Sequence, residues 1–286
     1  MLLRLKSEGL AESTLEGIAK RLRHLNRHTD LQNPLEVKSY ISGLKATNGY
    51  KQSLVLAYQH YCRFAGLPFS PPRYVRRERE IQVPSEENLN LLINSASREL
   101  ALRLKILKET GLRPKELLNL RVRDLDLEKG LIAVRTIKGG KPRTLEVKRS
   151  TLGMLKYHVE TKGLGLNDRL FPENTKALRR KYEKHRRRVA KLFHKPELLK
   201  IRLYDFRHFY ATNLYRKTRD ILYVKEKLGH KLIETTLKYV HLVDRLGEPE
   251  YECRVAENLK EAAALIEQGY EYVTTFEGKM LFRKLK

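Results

Sequence analysis

The chain has 286 residues, 41% of them hydrophobic, which is enough for two domains with packed cores and too apolar for a disordered polyelectrolyte. Its 59 Lys+Arg against 34 Asp+Glu leave a formal charge of +25, a field that favours a polyanionic partner, a nucleic acid above all. Cys62 and Cys253 lie far apart with no metal-ligand spacing, no apolar run reaches transmembrane length, and no signal-peptide core opens the chain, so a reduced, cytoplasmic protein without membrane contact is expected.

Residues 1 to about 70 read as short helices. Ser13 is a candidate cap for a first helix carrying Leu15, Ile18, Ala19, Leu22 and Leu25 at helical spacing. A second helix is predicted over Leu35 to Ser42, and a third from Lys51 to Phe64, closed by Gly66 and Pro68. The prolines at 68, 71 and 72, followed by Arg73, Arg76, Arg77 and Arg79, predict an extended basic linker. Such a linker would be either a solvated loop or a track along a phosphate backbone.

Ser85 opens a second domain, with helices predicted from Asn88 and over Ala101 to Lys108. Leu131 to Ile137 and Arg143 to Val147 are rich in strand formers around Lys138-Gly139-Gly140-Lys141, which predicts a β-hairpin with a lysine-bearing tip. Helices resume over Leu152 to Val159 and Thr175 to Phe193. The stretch from Lys176 to Lys191 holds nine Lys/Arg and a single acid, Glu183, which points to a DNA-backbone contact through Arg179, Arg180, Arg186 and Arg187. Glu250 to Gln268 reads as an amphipathic helix, and Tyr270 to Phe276 and Met280 to Leu285 as two strands joined at Glu277-Gly278. The expected organisation is a helical domain over 1–72, a basic linker over 73–84, a second domain over 85–247, and a C-terminal extension over 248–286. The expected fold class is mainly α with a small β-hairpin (α+β).

Five features bear on chemistry, and each alone has a plainer reading. Arg113 precedes Pro114 at a predicted helix start, where a guanidinium and free N–H groups suit a phosphate. Lys138 sits on the hairpin tip. Tyr204 and Arg207 are three apart on one helix face. His230 follows the helix-terminating Gly229, and Tyr239 lies nine residues further on. Singly, Arg113 would be a turn arginine, the Lys138 tip a solvated turn, His230 a packing or capping residue, and Tyr239 core or surface packing.

In order, T-G-L-R-x-x-E-L from Thr110, K-G-G-K-x-R from Lys138, D-F-R-H-x-Y-A-T from Asp205, L-G-H from Leu228 and T-x-x-x-Y from Thr235 resemble the tyrosine recombinases of the phage-integrase and Xer type. The resemblance covers the chain in outline, and its long extension resembles integrases of archaeal viruses and plasmids. It implies a helical core-binding domain and a catalytic domain, with Arg113 and Arg207 as the catalytic arginines. Lys138 would protonate the leaving group, His230 would be the histidine of the L-G-H motif, and Tyr239 the nucleophile. Where the family most often carries histidine, this chain has Tyr204, for which a positional role is expected. His208, beside Arg207, reads as packing, and Tyr210, Tyr215 and Tyr223 as core.

These residue types suit attack on a phosphodiester. Arginines match phosphate oxygens, a lysine supplies a proton, and a tyrosyl phosphate conserves the energy of the broken bond, so neither a cofactor nor ATP is required. The resemblance further implies double-stranded DNA as partner, a homotetramer assembled on it, and association with the nucleoid when bound. A DNA-binding protein of the same fold with reduced catalysis, a type IB topoisomerase and a basic RNA binder are the competing readings.

Overall fold

In the computed structural model, residues 1–75, 81–135, 140–245 and 251–285 are described, and the chain divides into units Met1–Glu80 and Ile81–Lys286. The first unit holds α1 (Leu2–Ser7), α2 (Glu12–Asn26), α3 (Pro34–Gly43) and α4 (Asn48–Ala65). α2 starts one residue before the predicted Ser13 cap: Ala11 is its N-cap, without a side-chain bond, and Glu12 places a carboxylate in the first turn. The Asn33 side chain caps α3 ahead of Pro34, and the Thr47 side chain caps α4, which ends on left-handed Gly66. Leu15, Ile18, Leu22, Leu25, Val37, Ile41, Leu54 and Tyr58 form the core.

The predicted linker does not begin as a free strand. Phe69 and Tyr74 pack on that core, the Tyr74 N–H donates to Gln52 Oε1 at 2.8 Å, and Asn48 Nδ2 donates to the Val75 carbonyl. Residues 68–75 therefore group with the helical unit, past the predicted residue 72, because Phe69 and Tyr74 bury apolar surface on its core while the backbone between them forms no helix. Arg73 is exposed on this segment, whereas Arg76, Arg77 and Arg79 lie outside the described residues.

The second unit runs through α5 (Glu86–Asn94), α6 (Arg98–Thr110), α7 (Pro114–Asn119), β1 (Leu125–Asp126), β2 (Leu131–Val134), β3 (Arg143–Glu146), α8 (Arg149–Thr161) and α9 (Thr175–Leu192). It continues with α10 (Asp205–Thr218), α11 (Ile221–Leu228) and α12 (Glu234–Arg245). The Ser85 side chain caps α5 as expected. β2 and β3 pair within a three-stranded antiparallel sheet of order β1-β2-β3, with Ile132 opposite Leu145 and Val134 opposite Arg143. Ile132, Val134 and Leu145 face a large core that takes in α5, α6, α8, α9 and the start of α10. A smaller cluster of Ala211, Val224, Leu228 and Tyr239 joins α10, α11 and α12.

The extension differs from its expected helix–strand–strand order. Residues Tyr251–Ala256 form β4, the helix α13 starts only at Leu259, and β5 (Glu271–Phe276) and β6 (Lys279–Leu285) complete a sheet of order β4-β6-β5. Asn258 accounts for the late start: its side chain caps α13 from extended backbone, while β4 gains a full ladder with β6. Ala256, Ala262, Leu265, Tyr270 and Phe282 give the extension a core of its own, while Val255 and Leu259 are exposed.

Candidate active site

α6 ends at Gly111, whose φ of 62° is left-handed and at which a Cβ would stand 2.4 Å from the Tyr210 ring. Only glycine fits this turn, and the turn delivers Leu112 to the core and Arg113 to the N-cap of α7. Glu116, two per cent exposed, holds that cap from both sides. Its Oε2 accepts the Arg113 backbone N–H at 2.9 Å, and its Oε1 accepts from Arg113 Nη1 at 2.8 Å. The same carboxylate accepts from buried Arg143 on β3 at 2.9 Å. Burial works to raise the Glu116 pKa, but the bond and charge of Arg143 and the contacts of Arg113 outweigh it, leaving the carboxyl below its ordinary range.

Arg143 also reaches the turn that carries His230. A Cβ at Gly229, where φ is 65°, would lie 2.8 Å from Arg143 Nη1 and 3.0 Å from the Lys141 carbonyl. Glu116 and Arg143 thus connect the Arg113 turn, the hairpin and the L-G-H turn through one buried ion pair, a role that isolated motifs do not reveal. Lys138 lies outside the described residues.

Arg207, on the first turn of α10, is fully buried. Nη1 donates to the Gly111 carbonyl at 2.7 Å, and Nη2 donates to the Leu228 carbonyl at 2.8 Å and to His230 Nε2 at 2.9 Å. Burial first and Arg113 second lower its pKa to about 10, so it stays cationic at neutral pH. Arg113 is partly exposed, while both Nη atoms of Arg207 are engaged with backbone carbonyls, so of the two arginines only Arg113 presents part of its guanidinium to solvent.

Because Arg207 can only donate, His230 Nε2 accepts, and the proton sits on Nδ1, which donates to Thr236 Oγ1 at 2.8 Å. Burial, then Arg207 and Arg113, press the His230 pKa down to about 3. In this arrangement His230 is a neutral hydrogen-bonding bridge between Arg207 and Thr236.

Tyr239 is fully buried on α12, and its hydroxyl lies 3.2 Å from His208 Nδ1. Burial raises its pKa, against the pull of Arg207 and Arg113, so the group is a phenol. His208, read from sequence as packing, is the residue that touches this hydroxyl. One step along α10 from Arg207 points it away from the guanidinium and toward α12, and no local pattern reveals that neighbour.

Tyr204 is the N-cap of α10, 38% exposed, with its ring edge-on to His208 at 5.1 Å between centroids. Asp205, held by two side-chain bonds from Arg202, braces this helix start. Tyr223, expected in the core, is exposed on α11, because Val224 and Leu228 already fill the face packed on α10 and α12.

The basic candidates divide. On α9, Arg179 pairs with Glu183, Arg180 and Arg187 are exposed without an ion pair among the described residues, and Arg186 is half-buried and donates to the Ile201 carbonyl. Lys141 is exposed beside the hairpin. Arg186 is therefore a structural arginine in this set, joining α9 to the segment before α10.

The fold is that of a tyrosine recombinase catalytic domain. The profile of the phage integrase family matches residues 83–245, more than half of the chain, and the chain belongs to that family, the tyrosine recombinases. Tyrosine recombinase XerA of Thermococcus kodakarensis is 30% identical over 227 residues, covering 74% of this chain and 79% of the relative. XerA of Saccharolobus solfataricus is 29% identical over 190 residues, covering 66% and 62%. A probable integrase/recombinase protein of Methanocaldococcus jannaschii is 34% identical over 173 residues, covering 57% and 52%. The chain thus spans less than two thirds of the length of the last two. Among solved structures, the Tn1549 transposon integrase in complex with transposon right end DNA superposes with a TM-score of 0.64 at 14% identity, covering 93% of this chain and 96% of that one. XerH bound to palindromic difH substrate gives 0.58 at 22% identity, covering 89% and 80%. At these identities the two superpositions establish the fold.

Proposed function

We propose that this chain is a site-specific DNA recombinase that cleaves and rejoins strands through a 3′-phosphotyrosyl ester on Tyr239, using neither metal nor ATP. The observation that carries the reading is the gathering of the ordered motifs around one point. The Arg113 turn, Arg207 and His230 are joined by the contacts of Arg207 and Glu116, and Tyr239 on α12 meets the same helix as Arg207 through its hydroxyl's contact with His208. Arg113 and Arg207 supply the positive field for the phosphorane-like charge, and Lys138 gives a proton to the departing 5′-oxygen. The ester keeps the energy of the broken phosphodiester, so attack by a 5′-hydroxyl restores DNA. His230 orients Arg207, and Tyr204 stands at the rim as a hydrogen-bonding phenol.

Exposed cations on α9 and the hairpin, with Arg73 on the helical unit, support a double-stranded DNA partner. Exchange between two duplexes calls for four protomers on DNA, and exposed Val255, Ile266 and Phe276 on the extension support its use between copies of this chain. Covalent capture from a randomised library of nicked suicide duplexes tests the reading. Wild type is expected to yield a DNA adduct mapping to Tyr239, and Tyr239→Phe none; an adduct elsewhere, or none from wild type, refutes it. Truncation after Gly247 is expected to abolish synapsis while leaving single-site cleavage, and intact synapsis would remove the extension from that role.

A further inference from the structure

We propose that His208 is the proton acceptor for Tyr239, taking the phenolic hydrogen on Nδ1 as the hydroxyl attacks phosphorus. The inference rests on the reading above and adds a catalytic residue to it. Of the candidate acceptors His230, Tyr204 and His208, the first is excluded by its hydrogen bonds and the second by its chemistry. His230 has both ring nitrogens committed, Nε2 accepting from Arg207 and Nδ1 donating to Thr236. Tyr204 offers a phenol, which is neither a cation nor a base at neutral pH. His208 alone among the described residues is hydrogen-bonded to the reacting oxygen, at 3.2 Å, within reach for proton transfer.

The surroundings of His208 keep it able to accept. It is buried, and the groups acting on it are Lys238 and Tyr239 from α12 with Arg202, Tyr204, Asp205 and Arg207 from α10 and its lead-in. Burial, then Lys238, lower its pKa to about 4, with Asp205 opposing, so the imidazole is neutral and has a lone pair to offer. A neutral imidazole carries one N–H; placing it on Nε2 leaves Nδ1 to accept from the hydroxyl. A weak base suffices, because the phenolic hydrogen becomes strongly acidic as the oxygen bonds to phosphorus. The incoming phosphate also offsets the neighbouring cations that disfavour an imidazolium.

The step balances. The Tyr239 oxygen–phosphorus bond forms and the bond to the 5′-oxygen breaks; the phenolic proton goes to His208 Nδ1, and the 5′-oxygen leaves with a proton from Lys138. In rejoining, the 5′-hydroxyl returns its proton to the Lys138 amine as it attacks phosphorus, and the imidazolium returns its own to the departing phenolate.

The test is single-turnover cleavage of a captured suicide duplex, in its natural form and with sulfur in place of the bridging 5′-oxygen, across neutral pH. Sulfur leaves without a proton, so it isolates the nucleophile's side of the reaction. His208→Asn places an amide near the position of Nδ1 and can hydrogen-bond Tyr239 but cannot take its proton. Its cleavage is expected to slow by about 10²-fold or more, on both substrates alike, with DNA affinity and thermal unfolding retained. On the sulfur substrate the wild-type rate is expected to be level around neutral pH, and the variant's to rise in proportion to hydroxide. A wild-type rate that itself rises with hydroxide, a variant at wild-type speed, one slowed with an unchanged pH profile, or one restored by sulfur would each overturn the proposal. The wild-type profile decides the matter even if the variant fails to fold. Absence of any wild-type adduct through Tyr239 would instead refute the underlying reading, and this inference with it.

Discussion

Glu116 is the residue on which the site's geometry depends most without itself offering chemistry to a phosphate. One carboxylate, buried with Arg143, holds both the cap of α7 and the strand beneath the L-G-H turn. Surface ion pairs contribute little, but removing one member of a buried pair strands the other. Glu116→Ala should therefore cost about 3–5 kcal/mol, read by urea unfolding of the full chain. Glu116→Ala together with Arg143→Met should recover part of that loss, because no uncompensated guanidinium then stays buried. Equal destabilisation of the single and double variants would show that the pair is not the source. The motif around Arg113 makes a glutamate visible in the sequence, but Arg143 lies 27 residues away and reaches it only through the hairpin.

At the scale of elements, α9 separates two kinds of arginine that look identical in sequence. Its apolar positions Leu178, Tyr182, Val189 and Ala190 are buried, and the same rotation that buries them brings Arg186 over the Tyr182 ring and onto the Ile201 carbonyl. Arg180 and Arg187 face outward. Exchanging Arg180 and Arg187 for glutamine should weaken DNA binding across all sequences. It should also shrink the slope of log affinity against log salt by about 0.9 for each phosphate left without its cation, measured by fluorescence anisotropy. Arg186→Ala should leave that slope nearly unchanged and lower thermal stability instead. The reverse pattern would assign the phosphate contacts to Arg186. Nine cations in sixteen residues make a basic helix legible, but only burial shows which of them are available.

The whole catalytic unit carries a dependence on acidity that follows from its buried imidazoles. His208 and His230 are held down to about 4 and about 3, and His185, on α9, is also lowered, chiefly by burial. Each binds its proton more readily in the unfolded chain, whose histidines titrate near ~6.5. The folded state therefore keeps its full stability above that pH and loses it as pH falls toward the folded values. Each group adds up to about 1.4 kcal/mol per pH unit within the window. Glu116, whose pKa is depressed, adds a further loss only when pH falls below the ordinary carboxylate range. Urea unfolding should thus be nearly constant above neutrality and decline between about pH 6.5 and pH 4, with a shallower decline in His208→Asn. A wild-type stability that stays level through that window would contradict the burial of neutral imidazoles.

Periodicity, caps and ordered motifs were sufficient for the mainly helical class, for the hairpin after Gly130, for the helices closed by Gly66 and Gly229, and for the identity of Arg113, Arg207, His230 and Tyr239 as residues to watch. These are local properties, set by side-chain spacing and backbone freedom within a few residues. Tertiary structure decided what depends on neighbours distant in the chain. Phe69 and Tyr74 turn a linker into part of a domain, and Asn258 with the β4–β6 ladder makes a strand where a helix was expected. Arg207 fixes the tautomer of His230, and α12 brings Tyr239 to His208 rather than leaving it to the arginines alone. Burial is the common reason: it sets which polar groups must find partners inside the molecule, and spacing along the chain does not record those partners.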